Sequence, residues 1–116
     1  MAKDFPCPAC GFVVFVEPPG SYDICEMCGW EDDHVQLIYP GLRGGANQES
    51  LAEKQATWVK RYPVGVREAN SLTRDPEWRP LTADETRSRP GEPKSGPDYF
   101  EAAKAEAPAY YWRARK

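Results

Sequence analysis

At 116 residues and 13.1 kDa the chain has room for one small domain with an appendage. A doubly wound dinucleotide-binding fold or a barrel does not fit this length. The net charge of −3, from 15 Lys+Arg against 18 Asp+Glu, has the wrong sign for a generic nucleic-acid binder, and a mean hydropathy of −0.71 implies a modest core.

The opening Met1-Ala2-Lys3-Asp4-Phe5-Pro6 leads into no apolar signal region, and no run approaches the ~18 apolar residues of a membrane span. The expectation is a cytoplasmic protein without membrane contact. In a reducing compartment four cysteines in two pairs point to a metal rather than to disulfides.

Residues 5–30 hold a short internal repeat. Cys7-Pro8-Ala9-Cys10-Gly11-Phe12 matches Cys25-Glu26-Met27-Cys28-Gly29-Trp30 at an offset of 18, each copy being Cys-x-x-Cys-Gly-aromatic. Between the copies lie the β-favouring run Phe12-Val13-Val14-Phe15-Val16 and the turn signal Pro18-Pro19-Gly20-Ser21. Tyr22-Asp23-Ile24-Cys25 reads as the returning strand. This predicts one β-hairpin of the zinc-ribbon kind, with a Cys knuckle near each end.

The spacing Cys7-x2-Cys10-x14-Cys25-x2-Cys28 is that of a tetrahedral thiolate site. Paired thiolates on two tight turns supply four soft ligands, and a glycine after each pair tolerates the positive φ that such a turn often needs. Four Cys ligands leave no position for water, so the site is closed and structural, with one Zn2+ per chain as the expected ion. A rubredoxin-like iron site uses the same donor set. A thioredoxin-like redox pair requires a βαβ setting that is not visible here. A closed metal site also replaces apolar burial that so small a chain lacks.

Glu31-Asp32-Asp33-His34 follows Trp30 directly. Three carboxylates beside a dianionic centre need compensation, from later Arg or Lys residues or from a basic partner. Two readings compete. In one, this is a turn in which Asp32 or Asp33 caps backbone N–H groups. In the other, Trp30, Glu31, Asp32, Asp33 and His34 form an exposed partner-binding patch. A second, hydrolytic metal site using these acids with His34 is a lesser alternative. Residues 1–40 carry one base and seven acids, net −6, whereas residues 41–116 carry 14 bases and 11 acids, net +3. The two parts differ enough to suggest different tasks or mutual attraction.

A turn at Pro40-Gly41-Leu42-Arg43-Gly44-Gly45 precedes a helix that starts near Asn47 or Ser50. Ser50-x-x-Glu53 has capping-box form, Leu51, Ala52, Gln55, Val59 and Tyr62 share a face, and Pro63 ends the helix. Residues 63–97 hold six prolines and read as an irregular arm, with a turn of helix at Thr82-Ala83-Asp84-Glu85 and with Trp78 and Leu81 pinning it to the core. A second helix runs from Pro97 to about Glu106, with Ser95 as cap and Pro108 beyond its end. Tyr110-Tyr111-Trp112-Arg113 reads as a short strand docking on the hairpin, and Arg113, Arg115 and Lys116 make the tail basic. The expected fold is a small metal-bound α+β domain with a zinc-ribbon-like hairpin, one or two helices and a Pro-rich arm. The expected divisions are 1–62, 63–97 and 98–116.

Three blocks carry a resemblance. They are Phe5-Pro6-Cys7-Pro8-Ala9-Cys10-Gly11, then Gly20-Ser21-Tyr22-Asp23-Ile24-Cys25-Glu26-Met27-Cys28-Gly29-Trp30-Glu31-Asp32-Asp33, then Gly44-Gly45-Ala46-Asn47-Gln48-Glu49-Ser50-Leu51. Over roughly residues 5–62 the chain resembles the bacterial cysteine-rich CPCC family. The resemblance implies a small zinc-ribbon-like bacterial protein. Ala9 stands where the family has an extra Cys, so that thiol is not needed for tetrahedral ligation. By analogy of size and type, the resemblance points to an immunity or antitoxin-type inhibitor of a cognate toxin protein.

No nucleophile is paired with a base in the sequence, so a non-catalytic zinc-binding protein-interaction module is the expected function. The alternative is a nucleic-acid-binding zinc ribbon whose tail stacks on bases. An iron electron carrier is the third.

Overall fold

The computed structural model describes residues 3–87, 92–93, 95–104, 106 and 109–113. Strand β1 (Phe5–Pro6) pairs antiparallel with β2 (Val13–Phe15), Phe5 opposite Phe15 and Pro6 opposite Val13. The expected pairing of 12–16 with 22–25 is therefore corrected. Each Cys-x-x-Cys-Gly turn reverses the chain by itself and closes its own hairpin: Cys7 N–H donates to the Phe12 carbonyl at 2.9 Å, and Cys25 N–H to the Trp30 carbonyl at 2.8 Å. In the second copy a single bridge, Ile24 with Glu31, takes the place of a strand pair.

Helix α1 (His34–Ile38) follows at once. The sequence reading has no helix there. Its N-cap is Asp33, whose carboxylate accepts from the N–H groups of Val35 and Gln36. Helix α2 (Leu51–Arg61) begins with the Ser50/Glu53 capping box as expected, and Leu51 and Gln55 are its buried residues. The arm after Pro63 is not wholly irregular. Strands β3 (Glu68–Ala69) and β4 (Leu72–Thr73) form a second hairpin across Asn70 and Ser71, whose φ values of 52° and 66° are the left-handed backbone conformation that a two-residue hairpin turn requires. Helix α3 (Ala83–Thr86) carries the Thr82/Glu85 capping box. Helix α4 (Gly96–Lys104) starts where Ser95 Oγ accepts from Asp98 N–H at 3.3 Å. Residues 110–113 form a turn rather than a strand. Pro108, Arg115 and Lys116 lie outside the described residues.

The main core surrounds the cysteines, with Phe12, Val14, Phe15, Trp30, Leu37, Leu51 and Leu72 packed about them. A second cluster joins α1 to α4 through Val35, Tyr39 and Ala103, with Tyr99 edge-on to Tyr39. A third gathers Trp78, Tyr110 and Trp112. Packing crosses the expected division at residue 62: Phe12 pairs with Arg74, and Asp75 N–H donates to the Gly11 carbonyl at 2.8 Å.

Candidate metal centre

The repeat builds two turns of one design. Gly11 and Gly29 take φ of +83° and +82°, and each donates its N–H to the carbonyl of the first cysteine of its copy, Cys7 at 2.7 Å and Cys25 at 2.9 Å. Backbone N–H groups turn inward to sulfur: Ala9 to Cys7 Sγ at 3.4 Å, Met27 to Cys25 Sγ at 3.3 Å and Cys28 to Cys25 Sγ at 3.4 Å. These donors favour thiolate over thiol and hold the sulfurs in place.

All four sulfurs are buried and lie within 4.8 Å of one another. Across the two copies, Cys7 and Cys28 sulfurs are 3.7 Å apart and Cys10 and Cys25 sulfurs 3.8 Å apart. Four metal–sulfur bonds of about 2.3 Å in a tetrahedron place their sulfurs about 3.8 Å apart, so the donor set fits one tetrahedral ion. The thiols are free rather than bridged to one another. Without a cation the cluster opposes ionisation unevenly. Burial pushes the Cys7 thiol well up, the hydrogen bond to Cys25 pushes Cys10 up, and the bond from Cys10 holds Cys25 down. A bound cation removes that conflict, because all four sulfurs then bind as thiolates.

The acidic stretch is built differently from the expected exposed patch, and three of its five residues correct that expectation. Trp30, Asp32 and Asp33 are buried, at 0%, 1% and 3% exposure. Asp32 Oδ2 accepts from the N–H groups of Gly20 and Ser21, both at 3.1 Å, and from Ser21 Oγ at 2.9 Å, which ties the Pro-Pro-Gly-Ser turn to the second knuckle. Burial raises its carboxyl above the ordinary range, and those donors offset only part of the rise. Besides capping α1, Asp33 takes the Ala46 N–H on Oδ2 at 2.8 Å and the Tyr22 hydroxyl on Oδ1 at 3.2 Å. Glu31 and His34 remain partly exposed, and His34 Nε2 lies 3.0 Å from the Glu106 carbonyl. The capping alternative is thus the one the structure realises for both aspartates.

Two residues whose part beside the site sequence reasoning missed, Gln36 and Asn47, complete the setting, while Trp78 pins the arm to the core as expected. Gln36 is fully buried, and its Nε2 donates to the carbonyls of Leu42, Asn47 and Glu49. Asn47 bonds both main-chain groups of Glu31 at 2.9 Å, so the Gly-Gly-Ala-Asn segment docks beside the second knuckle. On the other side the Pro8 carbonyl accepts from Gln55 Nε2 at 2.8 Å and Trp78 Nε1 at 3.0 Å, and the Pro6 carbonyl from the Tyr110 hydroxyl at 2.7 Å. The aromatics offered to bases by the sequence reading are therefore internal: Tyr110 and Trp112 are buried, and Arg113 pairs with Asp75 at 3.0 Å. Among the described residues no helix is long and apolar enough to cross a membrane.

Among curated proteins none matches the chain. The family described as Cysteine-rich CPCC matches residues 5–79, which extends beyond the expected end at 62 to take in β3, β4, Arg74 and Trp78. That span covers both knuckles and the hairpin that leans on the first, and the chain belongs to the cysteine-rich CPCC family.

Proposed function

We propose that this protein is a non-catalytic, zinc-stapled module that binds another protein, with an immunity or antitoxin-type role against a cognate toxin as its most specific form. The observation that carries the reading is the closure of the cysteine tetrad: four buried sulfurs at tetrahedral separations leave no coordination place for water or substrate. Zinc suits such a site because it stabilises a fold without bringing redox chemistry. The toxin role rests on analogy of size and family.

Recognition then falls to the outer face of the second knuckle. Ile24 is 68% exposed there, between Asp23 and Glu26, which are also exposed, and opposite Glu31. Glu26 already holds one ammonium group, Lys3 Nζ at 2.6 Å, which is the chemistry that a basic partner surface offers. A single apolar side chain among carboxylates matches a partner with an apolar pocket ringed by Lys and Arg.

The test is co-expression with the product of the adjacent gene. The reading expects a stable complex, protection of cells from that product, and weaker binding by Ile24→Asp at unchanged melting temperature. A folded, zinc-loaded chain that neither binds nor protects contradicts it.

A further inference from the structure

Arg74 is 1% exposed, the most deeply buried cation among the described residues. The β3–β4 hairpin delivers it: Arg74 directly follows β4 and bridges to Phe12 at the back of the first knuckle. Among the described residues its guanidinium donates only to main-chain carbonyls. Nε reaches Cys10 at 2.9 Å, Nη1 reaches Pro63 at 2.6 Å and Val66 at 3.1 Å, and Nη2 reaches Tyr62 at 2.9 Å. Two ring faces enclose it, Phe12 at 4.7 Å and Trp78 at 4.9 Å to the centroids.

Among the described residues no carboxylate pairs with Arg74. Arg43, Arg79, Arg87 and Arg113, all more exposed, each have one. The neighbouring carboxylate, Asp75, is directed instead to Trp112 Nε1 and Arg113. A full charge taken out of water without a counter-charge is strongly unfavourable, even where carbonyl dipoles solvate it. Arg74 Nε is bonded to the carbonyl of Cys10, a member of the tetrad, so the loop that Arg74 grips is one that carries negative charge once its thiolates hold a metal.

We propose that Arg74 is the buried counter-charge of the metal-loaded tetrathiolate, held against the first knuckle so that the site binds a divalent ion as a stable dianion. This rests on the metal reading above. A divalent ion with four thiolates has a net charge of −2, and a fixed positive charge in a medium of low dielectric lowers the cost of burying it. The compensation runs both ways, since the dianion also stabilises the buried guanidinium.

The inference predicts sensitivity to the charge on the centre, which a packing role does not. Ferrous iron in the tetrad gives a dianion and ferric iron a monoanion, so loss of the buried cation weakens ferrous binding more than ferric binding. The experiment uses full-length wild type, R74M, R74Q and R74K. Zinc affinity is read by chelator competition and the one-electron midpoint is read on the iron-loaded proteins. R74M is expected to bind zinc at least tenfold more weakly. Its ratio of ferrous to ferric affinity is expected to fall at least tenfold, which moves the midpoint about 59 mV more negative. R74K keeps the charge and is expected to stay near wild type in midpoint even where its stability drops. If R74M does not fold, R74Q decides, since its amide can still bond the carbonyls without carrying the charge: a ferrous-to-ferric ratio lowered by tenfold or more upholds the inference, and an unmoved midpoint overturns it. R74M that loads zinc and iron as wild type does, with an unmoved midpoint, also overturns it while leaving the metal reading intact. A wild-type chain that takes up neither metal sinks the metal reading and this inference with it.

Discussion

Residues 7–12 and 25–30 make the same backbone bonds and live in different surroundings. In the first copy every residue is buried, and Trp78, Gln55, Tyr110 and Arg74 all bond to its carbonyls or to that of Pro6 just before it. In the second copy Glu26 and Gly29 are exposed, and Ile24 stands out beside them. The repeat sets ligand geometry, and what lies outside the repeat sets the use of each copy. The first is anchored in the fold by the later chain, and the second presents a face to solvent.

Loss of a ligand is expected to erase this difference, because both copies contribute sulfurs to one tetrad. Cys10→Ser and Cys25→Ser each remove a thiolate from the shared site, and structural zinc contributes about 10–16 kcal/mol of apparent binding energy in small metal-dependent folds. Each variant is expected to lose its near-UV circular dichroism and its cooperative melt. A variant that melts like wild type breaks the account of the site.

Next in size is the contrast between the two glycines. A Cβ on Gly11 would sit 2.5 Å from the Trp78 ring, whereas one on Gly29 has no neighbouring atom within 4 Å. Both take positive φ, which costs a non-glycine residue about 1–2 kcal/mol. Gly29→Ala is expected to cost about that much. Gly11→Ala adds displacement of a buried indole, for a total of about 3 kcal/mol or more, as overpacking of a core typically costs about 1–3 kcal/mol. Equal shifts in denaturant midpoint would remove the asymmetry between the copies.

Asp75 gives a pH test of the anchoring side. Burial pushes its carboxyl up, but the Glu77 N–H, Trp112 Nε1 and Arg113 outweigh it, so the folded value lies below the ordinary one. Its stabilisation is therefore fully present above the ordinary carboxylate range and is lost as pH falls through the folded value. Asp75→Asn is expected to cost about 1.5–3 kcal/mol at neutral pH, the scale of hydrogen bonds to a charged group. The gap to wild type is expected to narrow in acid. A gap that does not change with pH counts against the ion pair with Arg113.

The smallest expected effect is at the open copy. Ile24→Ser is expected to move stability by no more than about 0.5 kcal/mol, as for surface positions generally. A large loss in thermal melts would mean that this side chain serves the fold.

Ligand chemistry was legible in the sequence because it is local: Cys-x-x-Cys-Gly fixes both donors and turn, and Ser50/Glu53 and Thr82/Glu85 declare their helix starts in the same way. Strand pairing was not. The run at Val13–Phe15 states a preference for β structure and not a partner, and the knuckle returns it to Phe5–Pro6. The β3–β4 hairpin has two residues per strand, too few for an alternating pattern to show. Asp32 and Asp33 looked like surface charge because sequence displays the acid and not its donors, which come from Gly20, Ser21 and Ala46. Arg74 was hidden for the same reason, since every acceptor it uses is a main-chain carbonyl.

The most direct measurement is metal and thiol content of the full-length protein purified without added metal. The account predicts one zinc per chain, a colourless sample, and four thiols that react only after the metal is withdrawn, together with loss of the folded spectrum. A chain that stays folded without metal, or whose cysteines are joined as disulfides, contradicts it.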